Sequence, residues 1–248
     1  MYDTVIVVPC YNEAQRLNRE AFEGYVEVST TERFLFVNDG STDETLERLQ
    51  ELASHKPERF SVLDLSPNGG KAEAVRRGMA QAFQEGATFA GYWDADLATP
   101  LEAIPNFRTL LVERPELSMV FGSRVRLLGR YIERQAVRHY LGRVGATLAS
   151  LVLGLPIYDT QCGAKLFRRS DLVEGLFERP FKTGWMFDVE ILARFISGLE
   201  HAGGGSAADA IYELPLVDWH DVAGSKVKAG DFPKAFLELA TIYFTHRV

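Results

Sequence analysis

The most constraining feature of this chain is the alternation of short β-rich runs with helical patterns along its N-terminal half. Runs of β-branched and aromatic residues predict strands at residues 4–8, 33–37, 60–65, 88–93 and 117–121. Apolar residues at helical spacing between these runs predict helices at residues 45–52, 71–83 and 101–112. Ser41 and Glu44 have the spacing of a capping box in front of the first helix. This alternation predicts an α/β fold with a mostly parallel central sheet flanked by helices.

The C-terminal half is less regular. It contains helical patterns at residues 134–153 and 186–197 and β-rich runs at residues 165–168 and 211–217. The glycine-rich segment 203–206 is too short to link two domains and indicates a surface loop. With 248 residues the chain can bury a large core, so we expect a single domain spanning residues 1–248.

Composition and charge exclude several classes of protein. The net charge of -7 gives no basic excess that would attract a nucleic-acid backbone, so we expect no nucleic-acid partner. Cys10 and Cys162 stand far apart without metal-ligand spacing, which argues against a disulfide framework or a zinc site and fits a reducing cytoplasm. We find no basic leader before the first predicted strand and no run of the ~18 apolar residues needed to span a bilayer. We therefore expect a cytoplasmic protein.

Polar segments follow four of the predicted strands. They comprise residues 9–13, 38–43, 68–71 and 94–96. In open α/β sheets, ligands bind beyond the carboxyl ends of the strands. We therefore expect these segments to converge on one ligand-binding crevice.

Two aspartates, Asp94 and Asp96, follow the fourth predicted strand, and carboxylates at this spacing can share one hard cation. Mg²⁺ and Mn²⁺ prefer oxygen ligands, and substrate phosphates and water commonly complete their coordination. A solvated acidic turn is the alternative interpretation.

Asp39 could accept a hydrogen bond from a base N–H or serve only the turn at Gly40. The segment ending at Lys71 could bind a diphosphate through backbone amides or simply start a helix.

Two common nucleotide-binding motifs do not match this sequence. A dinucleotide-binding fold requires a glycine-rich turn after the first strand, and residues 9–13 contain no glycine. A P-loop requires glycine where Leu65 stands and serine or threonine where Ala72 stands. The classes of nucleotide-binding protein defined by these motifs are therefore excluded.

In their order along the chain, four motifs resemble those of the family 2 glycosyltransferases, which have the GT-A fold. These motifs are Pro9-X-Tyr11-Asn12-Glu13, Asn38-Asp39-Gly40-Ser41-X-Asp43, Gly70-Lys71 and Asp94-X-Asp96. The second half resembles the dolichyl-phosphate β-glucosyltransferase and polyprenyl-phosphate sugar synthase branch through Asp159-Thr160-Gln161-Cys162-Gly163-X-Lys165-Leu166-Phe167, Phe187-Asp188-Val189-Glu190, and Trp219 followed by Gly224-Ser225-Lys226. The resemblance implies a single GT-A-like domain with a nucleotide-binding half (1–123) and an acceptor-binding half (124–248).

The resemblance also implies roles for individual residues. The nucleoside would be bound by Pro9, Tyr11, Glu13 and Asp39, with Lys71 nearby. The diphosphate and a metal ion, Mg²⁺ or Mn²⁺, would be bound by Asp94 and Asp96. The acceptor and the transferred sugar would be contacted by Gln161, Trp185, Asp188, Ser225 and Lys226, and phosphate would be bound by Arg124 and Arg138. Catalysis would depend on Asp96, Arg124 and Asp188.

The activity implied by the resemblance is inverting transfer of a hexose, with UDP-glucose as the expected donor, to a polyprenyl phosphate. Two alternatives stay open: transfer to a soluble hydroxyl acceptor, for which Asp188 is the candidate general base, and a non-catalytic module that binds sugar nucleotides. A sugar nucleotidyltransferase is disfavoured, because the glycine-rich, arginine-containing loop expected after the first strand is missing. Residues 134–153 combine basic and apolar side chains, which is typical either of a peripheral membrane contact or of a core helix with a solvated basic face.

Overall fold

The computed structural model describes residues 2–133, 136–222 and 231–246. Its strands are β1 (Thr4–Cys10), β2 (Glu32–Asp39), β3 (Phe60–Leu65), β4 (Phe89–Trp93), β5 (Met119–Ser123), β6 (Tyr131–Glu133), β7 (Ala164–Arg168), β8 (Ile211–Pro215) and β9 (Asp218–His220). Its helices are α1 (Arg19–Val28), α2 (Thr45–His55), α3 (Lys71–Gln84), α4 (Ile104–Glu113), α5 (Ala136–Leu153), α6 (Asp171–Glu178), α7 (Phe187–His201), α8 (Ala207–Ala210) and α9 (Asp231–His246).

Seven of the described strands form one sheet in the order β3-β2-β1-β4-β7-β5-β8. β1 pairs in parallel with β2 and β4, β2 pairs in parallel with β3, and β5 pairs in parallel with β8. β7 is antiparallel to both of its neighbours, β4 and β5. β6 and β9 form a separate parallel pair. The expected mostly parallel sheet is confirmed, although the sequence pattern does not reveal the reversed direction of β7.

Alternate residues of β1 face opposite sides of the sheet, as the period of a strand requires. Val5 and Val7 pack into one hydrophobic core with α3, α5, α6, α7 and α9. Ile6 and Val8 pack into a second core with α1, α2 and α4. Helices therefore cover both faces of the sheet, which confirms the expected α/β architecture.

The expected capping box is wrong. α2 begins at Thr45, and the Glu44 side chain makes no capping hydrogen bond. The Ser41 hydroxyl instead accepts a hydrogen bond from the Asn12 N–H at 3.1 Å. This contact joins the loop after β2 to the loop after β1. Asp43 supplies the local contact, since its Oδ1 accepts from the Thr45 N–H at 3.0 Å.

The helices α1, α6, α8 and α9 are not predicted from the sequence. α1 illustrates the reason, because it buries only Phe22, Tyr25 and Val26 and therefore has a narrow apolar stripe. The predicted helix 134–153 corresponds to α5, and the predicted helix 186–197 continues as α7 to His201. The division into nucleotide-binding and acceptor-binding halves stays a prediction.

Candidate functional site

A cleft with a volume of about 670 Å³ opens at the carboxyl ends of β1, β2 and β4. Its wall includes every predicted site residue whose side chain the structure describes: Pro9, Tyr11, Glu13, Asp39, Lys71, Asp94, Asp96, Arg124, Gln161, Trp185 and Asp188. The side chain of Arg138 and the whole of Ser225 and Lys226 lie outside the described residues. The structure thus brings the predicted residues together, while their roles stay predictions.

The loops after β1 and β2 hold each other through hydrogen bonds between side chains and backbone. Asn12 Oδ1 accepts from the Thr42 N–H at 2.8 Å, and Thr45 Oγ1 accepts from the Glu13 N–H at 2.8 Å. Asn12 has a φ of 51°, and asparagine tolerates this left-handed conformation better than most residues. Several polar residues of these two motifs therefore fix the shape of the cleft wall.

Asp39 is buried at the end of β2 and binds the turn that precedes α3. Its Oδ1 accepts from the Gly69 N–H at 2.8 Å, and its Oδ2 accepts from the Asn68 side-chain amide at 3.0 Å. Burial raises the pKa of Asp39, and the N–H groups of Gly69 and Gly70 partly offset that rise. The Asp39 carboxylate therefore holds the turn in front of α3, and not the turn at Gly40 that follows it in the chain. Recognition of a base by the same carboxylate, which lines the cleft, stays a prediction.

Charged side chains meet beyond the end of β4. Lys71 Nζ lies 2.5 Å from Asp94 Oδ1. Desolvation would lower the pKa of Lys71, but the charges of Asp94 and Asp188 raise it above its usual value, so the lysine stays protonated. Asp96 Oδ1 accepts from the Ala98 N–H at 3.1 Å. Burial and the nearby charge of Asp94 raise the pKa of Asp96, which shows that negative charge is only partly balanced here.

The two aspartates fit a divalent cation if the donor completes its coordination. Within the part of the chain that the structure describes, no three His, Cys, Asp or Glu side chains come together as a metal site. Mg²⁺ is commonly held by one or two carboxylates together with substrate phosphates and water. Burial is the main reason why the pKa of Asp96 is raised, and the charge of Asp94 adds to it, so a cation at this place would stabilise the ionised carboxylate. Asp94 and Asp96 therefore fit such an ion.

Gly163, which precedes β7, lies directly against Asp94. The Asp94 N–H donates to the Gly163 carbonyl at 3.0 Å. A Cβ added to Gly163 would lie 1.9 Å from Asp94 Oδ2, closer than any unbonded contact allows. Glycine is therefore needed at this position for the Asp94 carboxylate to lie beside Lys71.

A buried cation lies next to Asp188, which lines the cleft. Lys165 on β7 is 0% exposed, and its Nζ lies 2.6 Å from Asp188 Oδ1 and donates to the Cys162 carbonyl at 2.6 Å. The Tyr92 hydroxyl donates to the same Asp188 oxygen. Burial raises the pKa of Tyr92 well above its usual value, and the Asp188 charge adds to this effect, so Tyr92 remains a neutral donor. Asp188 therefore compensates a buried charge while it lines the cleft.

Arg124 is held by a bidentate ion pair. Its Nε and Nη2 donate to Asp159 Oδ2 and Oδ1 at 2.6 Å and 2.7 Å, and its guanidinium carbon lies 5.3 Å from the centre of the Trp219 ring. Burial alone would lower the pKa of Arg124, but Asp159 raises it above its usual value. Glu213 on β8 accepts from the N–H groups of Tyr158 and Asp159 at 2.7 Å and 2.8 Å. A chain of contacts therefore fixes the Arg124 charge at the cleft wall.

Gln161 and Trp185, which we predict to contact the acceptor and the transferred sugar, both line the cleft. The Gln161 side-chain amide donates to the Trp185 carbonyl at 3.0 Å and lies 3.2 Å from the Met186 sulfur. Gln161 therefore holds the segment that precedes α7. Contact of either side chain with a substrate stays a prediction.

Comparison with known proteins gives the family. The model for "Glycosyl transferase family 2" matches residues 5–176. The chain belongs to this family. Relatives of this glycosyltransferase include dolichyl-phosphate beta-glucosyltransferases from Trichomonas vaginalis (32% identical over 98% of this chain and 73% of the relative) and Saccharomyces cerevisiae (30% identical over 90% and 68%). A polyprenol monophosphomannose synthase from Mycolicibacterium smegmatis is 25% identical over 96% of this chain and 85% of its own.

Solved structures agree with the fold. A glucosyl-3-phosphoglycerate synthase from Mycobacterium tuberculosis, in complex with Mn²⁺, UDP and glucosyl-3-phosphoglycerate, has a TM-score of 0.68 and covers 99% of this chain and 80% of its own. At 18% identity this likeness concerns the fold alone. The expected GT-A-like α/β domain of the glycosyltransferase is confirmed. Among its described residues, none of the helices has the length and apolar character needed to cross a membrane.

Three residues that shape the site of the glycosyltransferase, Lys165, Arg16 and Arg143, are not predicted as site residues from the sequence. The signal for Lys165 is its position beside Leu166 and Phe167 in an apolar strand, where a lysine needs a buried anionic partner. Arg16 and Arg143 also line the cleft, and nothing in their spacing indicates this. Arg16 pairs with Glu13 at 2.6 Å, and the Arg143 guanidinium lies over the Tyr158 ring at 3.7 Å from its centre.

Gly163→Ala should displace the Asp94 carboxylate, because the new Cβ would occupy its space. We expect kcat/KM for the sugar-nucleotide donor to fall by about tenfold or more, since a misplacement of about 1 Å can cost 10²-fold in rate. Steady-state kinetics measure this loss. The control is Gly175→Ala in α6, where nothing lies within 4 Å of the added Cβ. A wild-type kcat/KM in Gly163→Ala would show that the position of Asp94 is not critical.

Proposed function

We propose that this glycosyltransferase transfers a hexose, glucose being the first candidate, from a nucleotide diphosphate donor to a polyprenyl phosphate. The observation that carries the proposal is that one cleft is lined both by the carboxylates of Asp94 and Asp96 and by the cations of Arg124 and Arg143. A donor diphosphate would need a cation beside the aspartates, and an acceptor phosphate would find the arginines. The names of the relatives at 30–32% identity support a polyprenyl-type acceptor.

UDP-glucose and a divalent cation are the proposed donor and cofactor. Support comes from the complexes of the Mycobacterium tuberculosis synthase with Mn²⁺ and UDP-glucose. In this chain, Asp94 and Asp96 would hold the Mg²⁺ or Mn²⁺ ion, and the protonated Lys71 would bind the same diphosphate. The bound cation would neutralise the charge that develops on the diphosphate when the nucleotide leaves.

A phosphate acceptor suits the contacts of Asp188 better than a hydroxyl acceptor does. A sugar hydroxyl needs a general base, whereas a phosphate monoester, with a second pKa near ~6, is already an anionic nucleophile at neutral pH. Asp188 Oδ1 is engaged by Lys165 and Tyr92, so this carboxylate already compensates a buried cation. Attack by the phosphate from the face opposite the leaving nucleotide would invert the anomeric configuration.

Transfer of glucose from UDP-glucose to a short-chain polyprenyl phosphate, in detergent with Mg²⁺ or Mn²⁺, tests the proposal. Asp188→Asn alone would leave Lys165 without its buried partner, which typically costs about 3–5 kcal/mol of stability. The informative variant is therefore Lys165→Met/Asp188→Asn, which removes both charges. It should stay within about tenfold of the wild-type rate, because no base is needed for a phosphate, whereas loss of a general base costs on the order of 10²–10⁴-fold.

In the same assay, Arg124→Lys is the variant in which we expect transfer to be lost. Lysine cannot reproduce the planar fork that a guanidinium offers to phosphate and to Asp159, so transfer should fall well below wild type. Absence of transfer to the phosphate, together with robust transfer to a soluble hydroxyl acceptor, would overturn the proposed acceptor. Binding of UDP without any turnover would instead indicate a non-catalytic module.

We also propose that α5 and α9 form a peripheral membrane contact. The two helices pack against each other, and both carry exposed apolar side chains: Val144, Leu151, Leu237, Tyr243 and Phe244. Phe236 lines the cleft and is also 53% exposed, so the apolar surface continues into the cleft. Soluble monomers rarely expose large contiguous apolar patches. A lipid surface that presents the polyprenyl acceptor would cover this one.

The double variant Leu237→Gln/Phe244→Gln should bind more weakly to phosphatidylcholine vesicles that contain polyprenyl phosphate. Each side chain loses apolar surface that lipid would otherwise cover, so we expect a decrease of about tenfold or more in a flotation assay. Val28→Gln on α1 is the control, because Val28 is equally exposed on the opposite side of the sheet. Unchanged vesicle binding by the double variant would exclude α9 as the contact, and loss of self-association would identify a second copy as its partner.

A further inference from the structure

The helix α9 places a carboxylate against the start of α7. Glu238 is 8% exposed, and its Oε2 accepts from the N–H groups of Trp185 and Met186 at 2.9 Å and 2.7 Å. Its Oε1 accepts from the Gly184 N–H at 3.3 Å. Three consecutive backbone donors therefore share one side chain from another helix.

One of these contacts stands in for a local cap. α7 begins at Phe187, and the side chain of Met186 at its N-cap position makes no capping hydrogen bond. The N–H groups at a helix start have no partner within the helix, and the helix dipole favours a negative charge there. Glu238 accepts from the Met186 N–H at the helix start and brings a carboxylate there, although it stands 52 residues further along the chain than Met186. Its other two donors, the N–H groups of Gly184 and Trp185, belong to the segment in front of the helix.

The segment held by Glu238 forms part of the cleft wall. Trp185 lines the cleft, and Asp188 follows in the first turn of α7. From the other direction, the Gln161 side-chain amide donates to the Trp185 carbonyl at 3.0 Å. Gln161 and Glu238 thus hold the same peptide segment through its carbonyl and its N–H groups.

α9 contacts both ends of this region as well. Lys182 Nζ lies 3.4 Å from Thr245 Oγ1, and His246 Nε2 lies 3.7 Å from Glu190 Oε1. Glu238 itself is not among the residues that line the cleft, so its effect must pass through the residues it holds.

We propose that Glu238 is a positioning residue that sets the place of Trp185 and Asp188 on the acceptor side of the cleft. This inference rests on the proposed acceptor side, and it assigns to α9 a role in the reaction in addition to its packing. The donor side is built from the ends of β1, β2 and β4, which Glu238 does not contact. Loss of Glu238 should therefore weaken use of the acceptor and leave nucleotide binding unchanged.

The test compares Glu238→Ala and Glu238→Gln with Lys234→Ala. Lys234 is the matched control, because its exposed amine lies 3.7 Å from Glu238 Oε1 without touching the three N–H groups. Both Glu238 variants should lower kcat/KM for polyprenyl phosphate by about tenfold or more, while the Kd for UDP stays within about twofold of wild type. Formate should restore part of the activity of Glu238→Ala, since it can occupy the vacated carboxylate position, and chloride at equal ionic strength should not.

Hydrogen exchange separates this inference from the proposed acceptor. The amides of Gly184, Trp185 and Met186 should exchange about tenfold faster in Glu238→Gln than in wild type, whatever substrate the enzyme uses. Unchanged exchange, or a parallel fall in UDP affinity, would overturn the positioning role. Faster exchange with an unchanged kcat/KM for every active acceptor would overturn it too. If wild type fails to use polyprenyl phosphate, only the proposed acceptor fails.

Discussion

The buried ion pair between Lys165 and Asp188 joins three elements on which the cleft depends. Lys165 belongs to β7, Asp188 to α7, and Tyr92, which donates to Asp188, to β4. The same strand β4 leads directly to Asp94, so this ion pair connects the position of Asp94 to that of Asp188. A buried charge without its partner is strongly unfavourable. These elements must therefore pack together, and the two sides of the cleft are fixed relative to each other.

Two glycines make the close approach around this ion pair possible. Antiparallel pairing of β4 with β7 sets Tyr92 opposite Lys165. A Cβ on Gly91 would lie 2.1 Å from the Lys165 carbonyl, and a Cβ on Gly163 would lie 1.9 Å from the Asp94 carboxylate. The close pairing of β4 with β7 therefore depends on Gly91, and the placement of the Asp94 carboxylate depends on Gly163.

The sequence is more informative about the predicted donor side of the cleft than about the predicted acceptor side. Motifs at the ends of regularly alternating strands suffice to place Asp39 and Asp94 in one cleft. On the acceptor side the decisive partners are far apart in the chain: Arg124 pairs with Asp159 35 residues away, and Glu238 binds Met186 52 residues away. The spacing of residues within a short segment cannot predict contacts between residues this far apart in the chain. The capping box fails for the same reason, because Ser41 binds a backbone group 29 residues away rather than its own helix.

The Mn²⁺ dependence of UDP binding tests most directly whether the donor diphosphate and a cation meet at Asp96. Isothermal titration calorimetry of wild type and Asp96→Asn, each with Mn²⁺ or with EDTA, measures this dependence, and Asp209→Asn on α8 is a control away from the cleft. Wild type should bind UDP about tenfold or more tightly with Mn²⁺, a difference of about 1.4 kcal/mol. Asp96→Asn should lose most of that gain. Equal affinity with Mn²⁺ and EDTA, or a full Mn²⁺ effect in Asp96→Asn, would contradict this donor site.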